Sequence, residues 1–372
     1  MKKILIVTPW YSCGGWLCIE KIARKLPKSK YCIDIVGLGQ PDSQIKTARY
    51  FNIPSLNYNR YGHIAGFNPV FGFLWNLPLF VTSIWLALFN HYAAIIYNGL
   101  TLGLILSPIF RLLGKRNIIM YHSEIRSQSK RVKFLLGILA KFVDLVVVNS
   151  IGSKDDLSQV ISQDKIYINR HYVDDIFINL PVAKKIAHNT LKVLYVGRFD
   201  ESKRVYPLID FAEKMGNDPR FSFSFVGQGL GCNRIKNLEK KFNNISYDGY
   251  IKSRNKLAKL YSNSDVVWSF ADTTYLALPA IESLASDTPI IVPKYAAIMG
   301  KDEIINKSLV PRTIGWLVDS SDPEDINKVL LQIHNRHDYL KKKCRQYATK
   351  HFHSHNLIET MKKISSEINL ST

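Results

Sequence analysis

Two consecutive series of short Ile/Val-rich runs, each interrupted by helical patterns, constrain this chain more than any other feature. The first series lies at 4–7, 33–37, 94–97, 118–121, 145–148 and 166–168, and the second at 193–196, 223–226, 245–247, 266–270, 289–292 and 316–318. A run without polar alternation suits a strand covered on both faces, and parallel strands joined through helices are the arrangement that provides both covers. Two such series predict an α/β protein of two doubly wound, Rossmann-like parallel-sheet domains. A length of 372 residues exceeds one ordinary core, and 47% hydrophobic against 22% charged residues is enough apolar material for two. The join is expected in LPVAKKIAHNT at 180–190, where Pro181 and polar residues end the periodicity. This divides the chain into 1–180, 181–350 and a closing helix over 351–372.

Charge is unevenly placed. Residues 1–143 hold 18 Lys and Arg against 4 Asp and Glu, whereas 144–372 hold 32 against 26, so most of the formal +20 sits in the first domain. Such a field attracts phosphorylated substrates, anionic lipid headgroups or nucleic acid, and no nucleic-acid motif accompanies it. The five cysteines form no CxxC pair and are scattered, as small buried residues in a reducing, cytoplasmic protein would be. The start MKKILIVTPWYSCGG has a run of strand length ended by Pro9 and two glycines, and reads as a first strand that is retained. The aromatic segment 68–92 is interrupted by Asn68, Asn76, Pro78 and Asn90. It is too broken to cross a bilayer, and suits either a core helix or one lying in a membrane interface.

Several elements have residues suited to chemistry. The second domain opens with VLYVGRFDESKR, in which a strand runs into Gly197, Arg198 and Lys203. A glycine at a strand's carboxyl end admits a close ligand, and two cations of different reach can hold a diphosphate. Further on, DVVWSFADTTYLALPAIESLASDTPIIVP reads as strand, turn, helix and strand, with Pro279 in the first helical turn and Glu282 three residues later. A helix N-terminus outside a parallel sheet can receive an anion or a sugar hydroxyl. Gly14 and Gly15 follow the first strand, and His122 ends the apolar run NIIMYH, so both face the crevice side of the first domain.

These elements, in this order, resemble the retaining glycosyltransferases of family 4, whose fold is GT-B. That family's signature E-G-F-G-L-P-A-x-E, followed by A-x-G-x-P, is matched at Leu278, Pro279, Ala280, Glu282, Ala285 and Pro289. Its G-R-x-x-x-x-K element is matched at Gly197, Arg198 and Lys203. The stretches 146–157, 168–177, 223–231, 245–251 and 315–326 also fit in order. The resemblance implies a metal-independent enzyme without a cofactor, using a nucleotide diphosphate sugar as donor and a saccharide or lipid-linked saccharide as acceptor, in cell-envelope polysaccharide synthesis. It implies that Arg198 and Lys203 neutralise the pyrophosphate and that His122 contacts the donor sugar. Gly14, Gly15, Ile251 and residues 274–278 (Thr274, Tyr275, Leu276, Ala277, Leu278) would line the donor site, with Tyr250 as a further candidate beside the base. Glu282 would accept hydrogen bonds from the ribose hydroxyls. It implies too that the last helix returns to the first domain. The basic first domain suggests a location on the inner face of the cytoplasmic membrane.

The chain departs from the signature where the sugar would lie. Thr274 replaces its first glutamate, Tyr275 and Ala277 replace two glycines, and Asp287 replaces the later one. Three explanations remain open: a donor whose hydroxyls suit Thr274, charge supplied by Asp272, or lost activity. A nucleotide-sugar epimerase of the same architecture and a catalytically silent nucleotide- or glycan-binding protein are the alternatives to transfer.

Overall fold

A computed structural model describes residues 1–9, 11, 14–41, 44–54, 69–121, 129–169, 171–181, 189–270, 276–294, 314–336 and 338–370. The chain forms two compact units, Met1–Arg170 together with His355–Thr372, and His171–Ser354.

The sheet of the first unit is parallel throughout. Its strands are β1 (Lys2–Thr8), β2 (Tyr31–Leu38), β3 (Ala48–Ile53), β4 (Tyr92–Asn98), β5 (Arg116–Tyr121), β6 (Leu145–Val148) and β7 (Ile166–Ile168), in the order β3-β2-β1-β4-β5-β6-β7. Six of these are the runs read from the sequence. The additional strand, β3, has the sequence ARYFNI and contains no fully buried residue. An edge strand needs no continuous aliphatic run, so its pattern is weak.

The period of two along β1, β4 and β5 sorts their side chains between two helical layers. Leu5, Val7, Ile95, Tyr97 and Ile119 join a core with the helices Pro69–Phe89 and Leu100–Leu112. Ile6, Ile96 and Met120 point the other way, to Ile19, Ile22 and Leu26 at the helix Gly14–Lys25 and to Ile364 of the helix His355–Asn369. That last helix therefore belongs to the first unit, and Lys2 Nζ donates to the Ile368 carbonyl at 3.2 Å.

The second unit has β8 (Leu191–Val196), β9 (Phe221–Val226), β10 (Ile245–Gly249), β11 (Val266–Trp268), β12 (Ile290–Pro293) and β13 (Gly315–Val318), again all parallel, in the order β10-β9-β8-β11-β12-β13. On β9, FSFSFV alternates buried Phe221, Phe223 and Phe225 with partly exposed serines, and the phenylalanines pack with Tyr195, Phe199 and Phe211. This unit begins at residue 171, earlier than the join expected from Pro181. Val173 N donates to the Phe352 carbonyl at 3.0 Å, and Phe177 is buried edge-on to Tyr261. The polar stretch 180–190 is thus a connection inside the second unit, and 182–188 lies outside the described residues.

Among the described residues no helix is long and apolar enough to cross a membrane.

One buried charge ties the edge of the first sheet. Asp34 on β2 accepts from Arg49 Nε at 2.8 Å, Arg49 Nη2 at 2.5 Å and the Tyr92 hydroxyl at 2.6 Å. Burial by itself would raise the Asp34 pKa, but hydrogen bonds from Arg49 and Tyr92 and the Arg49 charge bring it below its ordinary value. A depressed carboxylate pKa contributes stability that is present above the unfolded value and is lost as pH falls through the folded one. Asp34→Asn should therefore cost about 2 kcal/mol at neutral pH, with the gap to the parent closing below about pH 4. Urea unfolding of the first unit at both pH values checks this.

Candidate functional site

In a doubly wound sheet, ligands bind outside the carboxyl ends of the strands where the order of succession reverses, because the loops there diverge to opposite sides. In the second unit that point lies between β8 and β11, and the glycine-arginine loop and the Pro279 helix come after those two strands.

The loop after β8 is held from beneath. Gly197 N donates to the Val226 carbonyl at 3.0 Å, prolonging the β8–β9 ladder. Gly227, just past β9, has φ +137°, and a Cβ there would stand 1.8 Å from the Gly197 oxygen, so a residue without a side chain is required. Phe199 is fully buried, stacked on Tyr195, and its amide donates to the Gln228 carbonyl. The Tyr195 hydroxyl donates to the Arg198 carbonyl at 2.5 Å. Burial, and after it the Asp200 charge, pushes that phenol far above its ordinary pKa, so it remains a donor. With its neighbours anchored inward, Arg198 projects outward with its side chain 63% exposed, Nε standing 3.1 Å from Asp200 Oδ2.

A 3-10 turn, Glu201–Lys203, comes next, and Arg204 closes the loop in a left-handed conformation, φ 46°. The indole Nε1 of Trp268, the last residue of β11, donates to the Arg204 carbonyl at 3.2 Å. Trp268 is buried and stacked on Phe270, with centroids 4.2 Å apart and planes at 10°. The loop bearing Gly197, Arg198 and Lys203 is thereby fastened to the strand that leads toward the second element.

That element is the helix Leu278–Ala285, preceded by buried Leu276 and by Ala277 in extended conformation, with Pro279 in its first turn. Asp272, Thr274 and Tyr275 lie outside the described residues. The turn after the helix passes through Asp287, where the family signature has glycine. Asp287 has φ 60° and pairs with Arg345 at 2.5 Å. The turn requires a left-handed residue, and aspartate tolerates that conformation better than most side chains.

Glu282 sits on the inward side of this helix and is only 3% exposed. Its Oε1 accepts from Arg254 Nη2 at 2.6 Å and its Oε2 from the Tyr261 hydroxyl at 3.3 Å. Arg254 also donates to Asp174 Oδ2 at 2.9 Å and lies 4.6 Å over the Phe177 ring. Burial works against the Arg254 charge, but the two carboxylates outweigh it and hold its pKa above the usual value. Burial, and then the Glu282 charge, keeps the Tyr261 phenol protonated far above its ordinary range. Both Glu282 oxygens therefore have side-chain donors already, and a ribose diol there would have to share or displace them.

Sequence reasoning misses Asp174, Arg254 and Tyr261. Asp174 and Phe177 fall in the run 168–177, whose pattern suggests no chemical role, and Arg254 is indistinguishable in sequence from a surface cation. Ile251 comes after β10 at the far edge of the sheet, half-buried, beside exposed Tyr250.

In the first unit, the order reverses between β1 and β4. There the Asn98 side-chain amide donates to Thr8 Oγ1 at 2.9 Å, and Gly14 and Gly15 open the helix that comes after β1. His122 comes immediately after β5 and lies outside the described residues. Among the described residues no group of three or more His, Cys, Asp or Glu is placed to hold a metal ion.

Residues 178–351 match the family model for glycosyl transferases group 1. No curated protein matches the chain. The fold matches a crystal structure of HepE from Anabaena in complex with UDP and glucose, at 16% identity and TM-score 0.71 over 98% of this chain and 99% of that one. It also matches sucrose-phosphate synthase from Thermosynechococcus elongatus, at 17% identity and TM-score 0.72 over 100% of both chains. A third match is the apo form of the lipopolysaccharide outer core galactosyltransferase WaaB, at 15% identity and TM-score 0.61 over 100% of both chains. The two parallel-sheet units are those of the GT-B glycosyltransferase fold.

Removing one partner from a buried ion pair strands the other. Arg254→Met is expected to destabilise the second unit by about 3 kcal/mol, while Arg254→Met combined with Glu282→Leu recovers much of that loss. Thermal unfolding of the two variants measures the difference.

Proposed function

We propose that this chain is a retaining, metal-independent glycosyltransferase that moves a sugar from a nucleotide diphosphate sugar to a saccharide or lipid-linked saccharide in cell-envelope polysaccharide synthesis. One observation carries the reading: the exposed Arg198 stands with Lys203 on a loop fastened across the reversal point of the second sheet, where a helix N-terminus also opens. The match of 178–351 to group 1 glycosyl transferases supports it, as does the fold shared with a protein crystallised with UDP and glucose. The likeness to WaaB supports an envelope acceptor.

In the proposed reaction the bond from the anomeric carbon to the diphosphate oxygen breaks, a bond to the acceptor hydroxyl oxygen forms with the configuration kept, and the hydroxyl proton passes to the departing diphosphate. Negative charge grows on the departing diphosphate. Arg198 and Lys203 offset that growth from positions set by the backbone beforehand, so little reorganisation is needed. Gly197 lets the diphosphate approach the chain closely. Glu282, already held by Arg254 and Tyr261, would bind the ribose hydroxyls by sharing or exchanging those donors. Ile251 and residues 274–278 complete the donor pocket, with Thr274 and Asp272 setting a donor preference shifted from that of enzymes with glutamate at the first signature position.

A panel of nucleotide sugars tested for a rise in melting temperature identifies the donor, because a ligand that binds the native state stabilises it by mass action. With that donor, Arg198→Ala and Lys203→Ala should each lower kcat/KM by about a hundredfold or more, leave the melting temperature of the free protein unchanged, and turnover should persist in EDTA. Unaltered turnover in both variants would sink the assignment. Thr274→Glu and Asp272→Ala, assayed on the same panel, separate an altered donor from charge supplied by Asp272, and nucleotide binding without turnover of any donor would mark a silent binder.

A further inference from the structure

The helical layers of the two units differ in what they show to water. Helices that pack on a sheet ordinarily keep one apolar stripe inward and place polar residues outward. In the first unit, the layer formed by Pro69–Phe89, Leu100–Leu112 and Lys130–Leu139 breaks this rule. Its inward side chains, including Leu79, Leu86, Leu104 and Phe110, fill the core. The outward face of Pro69–Phe89 carries Leu77, Val81, Trp85, Leu88 and Phe89, spaced as one ridge of a helix, with Phe89 72% exposed. Leu100–Leu112 presents Ile109 and Leu112 outward. Lys130–Leu139 buries no residue fully and exposes Phe134, Leu135 and Ile138, three and four positions apart on one face. The three helices are neighbours in that order on one side of the sheet. Among the described residues of the second unit, only Leu230 and Tyr250 belong to the exposed large apolar side chains.

Among the described residues the charge on this face has one sign. No Asp or Glu occurs within the three helices. Arg111 is taken up by Asp144 behind the layer. Lys130 and Arg131 are exposed at the start of the third helix, beside its apolar ridge, and Lys141 is exposed just beyond its end. A large apolar face in a monomer marks an interaction surface, and an acid-free cationic fringe selects an anionic partner. A helix apolar outward yet too short of hydropathy to span is the type that lies in a bilayer interface, where its ridge reaches the acyl boundary and nearby lysines and arginines meet headgroup phosphates.

We infer that the outward face of the helices Pro69–Phe89, Leu100–Leu112 and Lys130–Leu139 docks on the surface of a bilayer containing anionic phospholipid. Such docking goes beyond the proposed transfer reaction and does not depend on it.

Sedimentation of the full chain with phosphatidylcholine vesicles, with and without phosphatidylglycerol, tests this in the absence of donor and acceptor, so that failure here leaves the question of sugar transfer separate. The chain should bind the mixed vesicles at low salt and neutral vesicles much less. Phe134→Ser with Leu135→Ser, and separately Lys130→Glu with Arg131→Glu, should each weaken binding by about tenfold or more, with the melting temperature unmoved because all four side chains face solvent. The inference is overturned by absence of binding to the mixed vesicles, by equal binding to neutral ones, or by parent-like binding of both variants. It is equally overturned if the face proves to be covered by a second copy, seen as a concentration-dependent dimer that Phe134→Ser dissociates while no vesicle binding occurs.

Discussion

The pairing of β8 with β9 on one side and β11 on the other governs the layout of the second unit's candidate site. A strand laid down first and then flanked on both sides sends its own loop straight into the gap between two divergent connections. Nothing else in a parallel sheet creates such a gap, since elsewhere successive helices close over the strand ends. The chain exploits it with three devices. Gly227 permits the Gly197 carbonyl to come close, Phe199 pins the loop from the core, and Trp268 holds its far end. A loop fixed at both ends can present a cation in one place without ordering it anew for each ligand, which is the condition for electrostatic stabilisation at low reorganisation cost.

Buried charge is used sparingly and with partners. Among the described residues, Asp34 and Glu282 are the two carboxylates most removed from water of those that carry an arginine, and each also accepts from a tyrosine hydroxyl. The two arginines differ in setting. Arg49 keeps 59% of its side chain exposed, so its pair recovers some hydration, whereas Arg254 is 33% exposed and is shared between two carboxylates over an aromatic ring. The second arrangement is the more costly to break at its centre, because deleting Arg254 leaves the buried Glu282 carboxylate without a cation.

Legibility in the sequence obeys the same physics. Buried parallel strands announce themselves as unbroken aliphatic runs, and all twelve runs are strands in the fold, with β3 missed because an edge strand is covered on one side only. The positions of Gly197, Arg198 and the helix starting at Leu278 are legible because strand, glycine and Pro279 punctuate the chain at fixed places. The environment of Glu282 is not. Arg254 and Asp174 are 80 residues apart, and tertiary packing, with Phe177 edge-on to Tyr261, brings Asp174 and Glu282 to one guanidinium. The limit of the second unit is misplaced by composition for a related reason: composition marks where a chain lacks periodicity, whereas a unit's limit is set by which core buries Val173 and Phe177.

The signature residues retained in this chain do not all count equally toward function. Ala280 and Ala285 are fully sealed in the core, and Glu282 is held by Arg254 and Tyr261, so the fold alone would keep them whatever the site does. Asp287 satisfies the left-handed turn that glycine otherwise fills, so its departure from the signature is a backbone matter and not a loss of chemistry. Arg198 is different. Its backbone is anchored through the Tyr195 hydroxyl and its neighbours Gly197 and Phe199, but its guanidinium lies largely in water beside Asp200. An exposed pair of that kind adds little to stability. Packing gives no reason for an arginine there, and the case for a diphosphate ligand therefore rests on Arg198 more firmly than on the helix Leu278–Ala285, whose matching residues the core already accounts for.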